Sequence, residues 1–396
     1  MAALSSSTAA WLRLCLSPGV GSATMRRLLA AFSLPENIFA QDLASLATVV
    51  SPKQALALRK EPPDFAAACA ALAAWLDPAQ RWVLTLADAD YPRSLLEMVD
   101  PPAMLYVQCQ DRAWWRTWCQ LEQAPLLAVV GSRNPTPQGE KNAQALSAAM
   151  VQEGWGIVSG LALGIDAAAH RAALLAQGRT IAVVGTGLDR VYPRQHHELA
   201  HQIVAQGGAL LSEFPLATGP LASNFPRRNR LIAGLAVGTL VVEANLQSGS
   251  LITARLALEQ NKEVFAIPGS IHAPQYKGCH ALIKQGAKLV ECAADISEEL
   301  PTLNHESTNK SIASQADLTA QNEENDLKNE CVEEAFANPY DSLILKAMGY
   351  EPTTLDELQL RTQLDAATIQ IHLLELELAA HIQRLPGGRY QQIARA

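Results

Sequence analysis

The chain has 396 residues, 49% of them hydrophobic and 18% charged, with a formal net charge of −8. That composition suits a soluble chain long enough for two or three packed domains. No stretch reaches the roughly 18–20 uninterrupted apolar residues of a membrane span, and no basic leader precedes an apolar run, so a cytoplasmic protein is expected. Cysteines at 15, 69, 109, 119, 279, 292 and 331 form no Cys-x-x-Cys pair, which favours reduced thiols over a disulfide framework or a zinc site. The acidity is uneven. Residues 126–295 carry 14 basic and 11 acidic side chains, a net +3, while the remainder carries −11, so the total charge does not argue against a polyanionic partner for the centre of the chain.

In chain order, residues 1–80 read as a helical domain. Trp11–Leu16 is followed by Ser17-Pro18-Gly19-Val20-Gly21-Ser22 and a helix from Ala23 to Phe32. The Pro-Gly-x-Gly turn resembles a helix-hairpin-helix or SAM-like element, but only Arg26 and Arg27 follow it, and an ordinary tight turn is the better reading. Trp82–Leu86 and Met104–Val107 read as strands around turns at Pro92 and Pro101-Pro102. Trp114, Trp115 and Trp118 have the spacing of a packed helical face rather than of a base-stacking platform.

From 126 the pattern alternates. Strands are expected at Leu127–Val130, Gly156–Ser159, Thr180–Val184, Ala209–Ser212, Thr239–Val242, Glu263–Ile267 and Lys288–Val290, with helices between most of them. Nearly continuous apolar strands separated by helices imply a mostly parallel sheet covered on both faces. The fold class is therefore α/β, a Rossmann-like doubly wound domain over 81–300 with its core at 126–295, whose ligands belong at the carboxyl ends of the strands.

Those ends carry the chemistry. Gly131-Ser132-Arg133 follows the first central strand and supplies N–H groups, a hydroxyl and a guanidinium ahead of a helix at about 139–153, a natural phosphate seat. Gly160 and Gly164 follow the second strand, with Asp166 placed to cap the helix bearing His170 and Arg171. Gly185 and Gly187 follow the third, leading to Tyr192-Pro193-Arg194. Phe225-Pro226-Arg227-Arg228-Asn229-Arg230 precedes the helical Leu231–Leu235, and so much positive charge at a helix start favours an anion there. Phe225 adds a stacking face. Ser248 and Ser250 lie in another small-residue turn between a strand and a helix. Anion-ready turns repeated along one rim suit an extended polyanion better than a single nucleotide. No metal-ligand spacing, P-loop or nucleophile elbow is present, so no catalytic set and no cofactor are expected. Glu243, at a strand end, is the one carboxylate placed to act as an acid or base, and an orienting role toward an arginine such as Arg230 is the simpler reading.

Residues 301–338 form a polar, acidic linker with Glu323, Glu324, Asp326, Glu330, Glu333 and Glu334. Residues 339–396 read as three helices and a hairpin, a winged-helix-like domain. Thr354 to Glu357 forms a capping box for its second helix, and Ile369, Leu373, Leu376 and Ala380 share a face of its third. That helix is expected to expose Gln370, His372, Glu375 and Glu377, with no Lys or Arg, which suits a protein contact better than a DNA groove.

Taken together, Gly131–Arg133, Ser159–Asp166, Gly185–Pro193, Ser212-Glu213-Phe214-Pro215, Phe225–Arg230, Ser248–Thr253 and Pro268-Gly269 resemble the DNA-processing protein family called DprA or Smf. The helical head and the winged-helix-like tail fit its longer members. The resemblance implies a non-enzymatic, homodimeric protein that binds single-stranded DNA entering the cell during natural transformation and helps load the RecA recombinase. By that resemblance Ser132 and Arg133 hold backbone phosphate, Arg227 and Arg230 extend the basic pocket, Phe225 contacts a base and Arg194 adds a phosphate contact. The candidate nucleic-acid-binding residues are Gly131, Ser132, Arg133, Gly160, Gly164, Gly185, Gly187, Arg194, Phe225, Arg227, Arg228, Arg230, Ser248 and Ser250. His196 and His280 depart from the asparagines that the family pattern suggests. The alternative reading is a Rossmann-like enzyme cleaving nucleoside monophosphates at the N-glycosidic bond. The stretch nearest to its Pro-Gly-Gly-x-Gly-Thr-x-x-Glu loop is Ala236–Glu243, in which the Pro-Gly-Gly is absent.

Overall fold

Every residue of Leu126–Val130 is buried, which a strand achieves only at the centre of a sheet covered on both faces. The computed structural model, which describes residues 4–121, 125–300, 339–348 and 352–393, places it there. The strands are β1 (Arg81–Thr85), β2 (Met104–Cys109), β3 (Leu126–Val130), β4 (Gly156–Ser159), β5 (Thr180–Val183), β6 (Ala209–Ser212), β7 (Gly238–Val241), β8 (Glu263–Ala266) and β9 (Lys288–Leu289). They form one sheet in the order β1-β2-β6-β5-β4-β3-β7-β8-β9. From β6 to β9 all neighbours are parallel. β1 and β2 extend the β6 side antiparallel. The chain winds outward from β3 through β4, β5 and β6, then returns to lay β7 on the other side of β3, pairing Leu127 with Gly238 and Val130 with Val241. Its direction reverses between β3 and β7. A crevice must open at the carboxyl ends of those two strands, where neighbouring loops leave on opposite faces.

Alternation along β3 builds both layers. Leu126, Ala128 and Val130 face a core shared with Leu231, Ile232, Leu235, Ala254, Trp115 and Trp118. Leu127 and Val129 face the opposite core with Leu146, Met150, Trp155 and Phe265. The tryptophan cluster is packing: Trp115 and Trp118 are buried, with ring centroids 5.3 Å apart.

The helical head does not stand apart from the sheet. It has a small core of its own around Leu14, Leu28, Ile38 and Leu58. Trp11, Leu12, Leu72 and Trp75, however, share a core with Tyr106, Leu199 and Leu210. The described residues up to Leu300 accordingly form one compact unit and those from Pro339 onward a second. The linker expected at 301–338 lies outside the described residues.

In the second unit, helices Pro339–Met348, Leu355–Thr362 and Ala366–Leu378 are followed by the hairpin Ile382–Leu385 and Arg389–Gln392. The Thr354–Glu357 capping box is formed. One expectation fails here: His372 is buried, with Nδ1 2.9 Å from Asp341 Oδ1 and 3.2 Å from Glu375 Oε2. It ties the first helix to the third and is not on the exposed face.

Candidate nucleic-acid interface

At the end of β3 the chain turns through Gly131-Ser132-Arg133 and enters helix Pro137–Gln152, capped by Thr136 Oγ1, which accepts the Gly139 N–H at 3.0 Å. The loop after β4 packs directly on this turn. Ile165 N–H donates to Ser132 O at 3.1 Å. Gly164 has φ +74°, and a Cβ there would lie 2.4 Å from Ser132 O, so only glycine lets the two loops meet. Asp166 does not cap its own helix. Its Oδ2 accepts from Gly160 N–H at 3.0 Å and Ala162 N–H at 3.3 Å, holding the loop from inside. Ser132 and the exposed Arg133 stand at the rim, with the Ser132 hydroxyl oxygen accepting from Asn134 N–H at 3.1 Å.

The arginine-rich stretch is itself helical, from Asn224 to Leu235, and the helix divides it. Arg227 points out, with 57% of its side chain exposed, above the Phe214 ring at 5.3 Å and 3.9 Å from Glu213 Oε2. Arg228 turns inward. It is 4% exposed and donates to the carbonyls of Gly160 and Val183, at the ends of β4 and β5. Burial lowers its pKa to about 10, while the nearby Asp166 carboxylate works to keep it charged. Burial in turn pushes the Asp166 carboxyl up, opposed first by Arg228. Arg230 is also buried, paired with Glu213 and 3.4 Å from Asp100 Oδ2, away from the rim. A basic cluster in sequence becomes one outward-facing cation, Arg227, and two internal struts.

Phe225, on the same helix, is half-buried. It rests over Gly185, where a Cβ would come within 3.1 Å of the ring. The Arg133 guanidinium lies 5.7 Å from its centroid, and the Tyr192 ring is 5.7 Å away, tilted by 39°. The β7 loop completes the opposite wall. Ser248 and Ser250 hydroxyls are 2.7 Å apart, and Asn229 Nδ2 donates across to Gly249 O at 3.3 Å. Ser250 opens helix Ser250–Glu259, whose positive dipole end faces an anion favourably.

These parts enclose an open cleft of about 610 Å³ at the β3/β7 reversal. Of the expected residues, Gly131, Ser132, Arg133, Phe225, Arg228, Ser248 and Ser250 line it. Gly160, Gly164, Gly185 and Gly187 serve loop packing beneath or beside it, and Arg194 is exposed on the loop beyond Tyr192. Asn134, Asn229, Asn245, Gln247 and Thr253 also line the cleft and were missed. Asn229 was legible in principle, one helical turn after Phe225. A second cleft, about 370 Å³, lies at the opposite ends of β3 and β7 beside Lys262.

Glu243 is fully buried, and its carboxylate accepts from Thr136 N–H at 2.9 Å and Thr136 Oγ1–H at 2.5 Å. Its partner is therefore the cap of helix Pro137–Gln152, not Arg230, and it does not line the cleft. His196 and His280 each bond a backbone carbonyl, Leu161 O at 2.9 Å and Gly269 O at 3.0 Å. Among the described residues, no helix is long and apolar enough to cross a membrane.

Residues 82–301 match the family model for DNA recombination-mediator protein A, and residues 337–388 match the DprA winged helix domain. Protein Smf of Escherichia coli K12 is 41% identical over 325 residues, 81% of this chain and 80% of its own length. DNA processing protein DprA of Bacillus subtilis is 43% identical over 221 residues, 56% of this chain and 72% of its own. The X-ray structure of DNA processing protein A from Streptococcus pneumoniae aligns with a TM-score of 0.61 at 33% identity, covering 76% of this chain and 99% of that one.

Proposed function

The chain belongs to the DNA recombination-mediator protein A family, and from that premise we propose that it binds single-stranded DNA in the β3/β7 cleft and delivers it to RecA. It acts by binding, without chemistry or cofactor, on DNA taken up in natural transformation, and two copies working as a homodimer hold one strand. The observation that carries this reading is the Arg133–Phe225 pair beside Ser132 at the mouth of an open cleft. A free guanidinium and hydroxyl hold phosphate while a half-exposed ring meets an unpaired base, a combination that a stacked, paired duplex cannot use. Two linked grooves on one strand add avidity without new contacts. The hydrolase reading lacks such support, because its carboxylate, Glu243, is buried and bonded to Thr136.

Fluorescence anisotropy of a labelled poly-dT strand, titrated with the full chain at several salt concentrations, tests the interface. Tight binding is expected to the single strand over the same oligomer as duplex. Arg133→Ala should weaken it and reduce the salt slope by about 0.7. Equal binding to duplex, or by the variant, overturns the reading. RecA nucleation on the strand, measured with and without the chain, tests delivery, and sedimentation tests the dimer.

A further inference from the structure

Tyr192 is the one exposed aromatic side chain among the described residues of the first unit, at 47% exposure. Tyrosine rings bury large areas when a core or interface will take them, and one left half in water at the edge of a cleft has surface unspent on folding. Its position is specific. It sits on the β5 loop, its ring 5.7 Å from that of Phe225, and Phe225 is in turn 5.7 Å from the Arg133 guanidinium. Two residues further on, Arg194 is exposed on the same loop. Arg133 and Phe225 line the cleft, and Tyr192 stands beside Phe225 just outside that lining, with Arg194 two residues on. Resting on the single-stranded DNA reading above, we propose that Tyr192 is a second base platform. The strand leaves the cleft across Phe225 and stacks its next unpaired base on Tyr192 before its phosphate reaches Arg194.

A base platform and a phosphate contact have different signatures. Stacking is indifferent to salt and needs a base. A cation contact releases counterions and needs only the backbone. Anisotropy with the full chain, on poly-dT and on an abasic strand of equal length, separates them. Tyr192→Ala is expected to bind poly-dT about tenfold more weakly at every salt concentration with an unchanged salt slope. Tyr192→Phe should stay within about twofold of the unsubstituted chain. On the abasic strand all three proteins should bind alike, an equality that a merely misfolded variant would not give. If the unsubstituted chain binds poly-dT and Tyr192→Ala binds it equally well, or if the variant's deficit persists on the abasic strand, the role of Tyr192 is overturned while the interface stands. Failure of the unsubstituted chain to bind poly-dT overturns both.

Discussion

Arg227 and Arg228 are adjacent in sequence, yet their replacement should produce opposite phenotypes. In Arg228→Ala the carbonyls of Gly160 and Val183 lose a charged donor inside the protein, and Asp166 loses the cation that opposes its burial. A hydrogen bond to a charged group contributes about 1.5–3 kcal/mol, and removing one partner from a buried charged site costs about 3–5 kcal/mol. The terms overlap, so the expected loss is about 3–5 kcal/mol, a large fraction of a domain's stability. Arg227 has 57% of its side chain exposed and stands 3.9 Å from its acidic neighbour. Arg227→Ala should change stability by no more than about 0.5 kcal/mol, while weakening DNA binding and lowering the salt slope by about 0.7. All seven tryptophans lie at or before residue 155, so tryptophan fluorescence in urea reports the first unit alone. A large drop in the urea midpoint for Arg228→Ala, and none for Arg227→Ala, is expected. If Arg228→Ala instead unfolds at the original midpoint and binds DNA with a reduced salt slope, Arg228 is a phosphate contact and the strut assignment is wrong.

Gly164→Ala forces a side chain onto a φ of +74° and places a Cβ 2.4 Å from Ser132 O. It should cost about 2 kcal/mol in the same urea assay and weaken poly-dT binding by shifting the Ser132 turn, and an unchanged midpoint would refute the loop-contact argument. Glu243→Gln leaves one oxygen for the two Thr136 donors, so a loss of about 1–3 kcal/mol is expected, with no nucleotide hydrolysis before or after. Hydrolysis abolished by this change would revive the enzyme reading. His170 is fully buried, and burial first of all holds its pKa near 3 against 6.5 in an exposed chain. As pH falls below 6.5 the unfolded state takes up a proton that the folded state refuses, so stability drops by up to about 1.4 kcal/mol per pH unit. That share of the slope should vanish in His170→Asn, and identical slopes from pH 7 to 5 would contradict it.

The sheet was legible because burial on both faces leaves a central strand such as Leu126–Val130 nothing but apolar residues. The Gly131-Ser132-Arg133 turn was legible because the apolar run of a strand breaks there into a glycine and two polar residues ahead of a helix. Helix phase was the missing information. Read as a turn ahead of a helix, Phe225–Arg230 looks like a uniform basic patch. Once the helix begins at Asn224, a rotation of about 100° per residue sends Arg227 outward and Arg228 inward. His372 fails for a different reason: its helix was read as one, but three residues after Ile369 and four before Leu376 it falls on their inward face. Glu243, Thr136 and Gly139 meet across more than a hundred residues of chain, a pairing that no local pattern encodes.

The β9 end of the sheet carries a further consequence. The last strand is two residues long, Lys288 and Leu289, both exposed, and Lys288 is tethered to Glu299 at 2.5 Å. An edge so brief, with a lysine in it, offers little backbone for another strand to zip onto. If the proposed binding gathers several copies on one strand, a long, bare sheet margin would invite them to knit into fibres. A border this short, with a charged lysine in it, works against such aggregation.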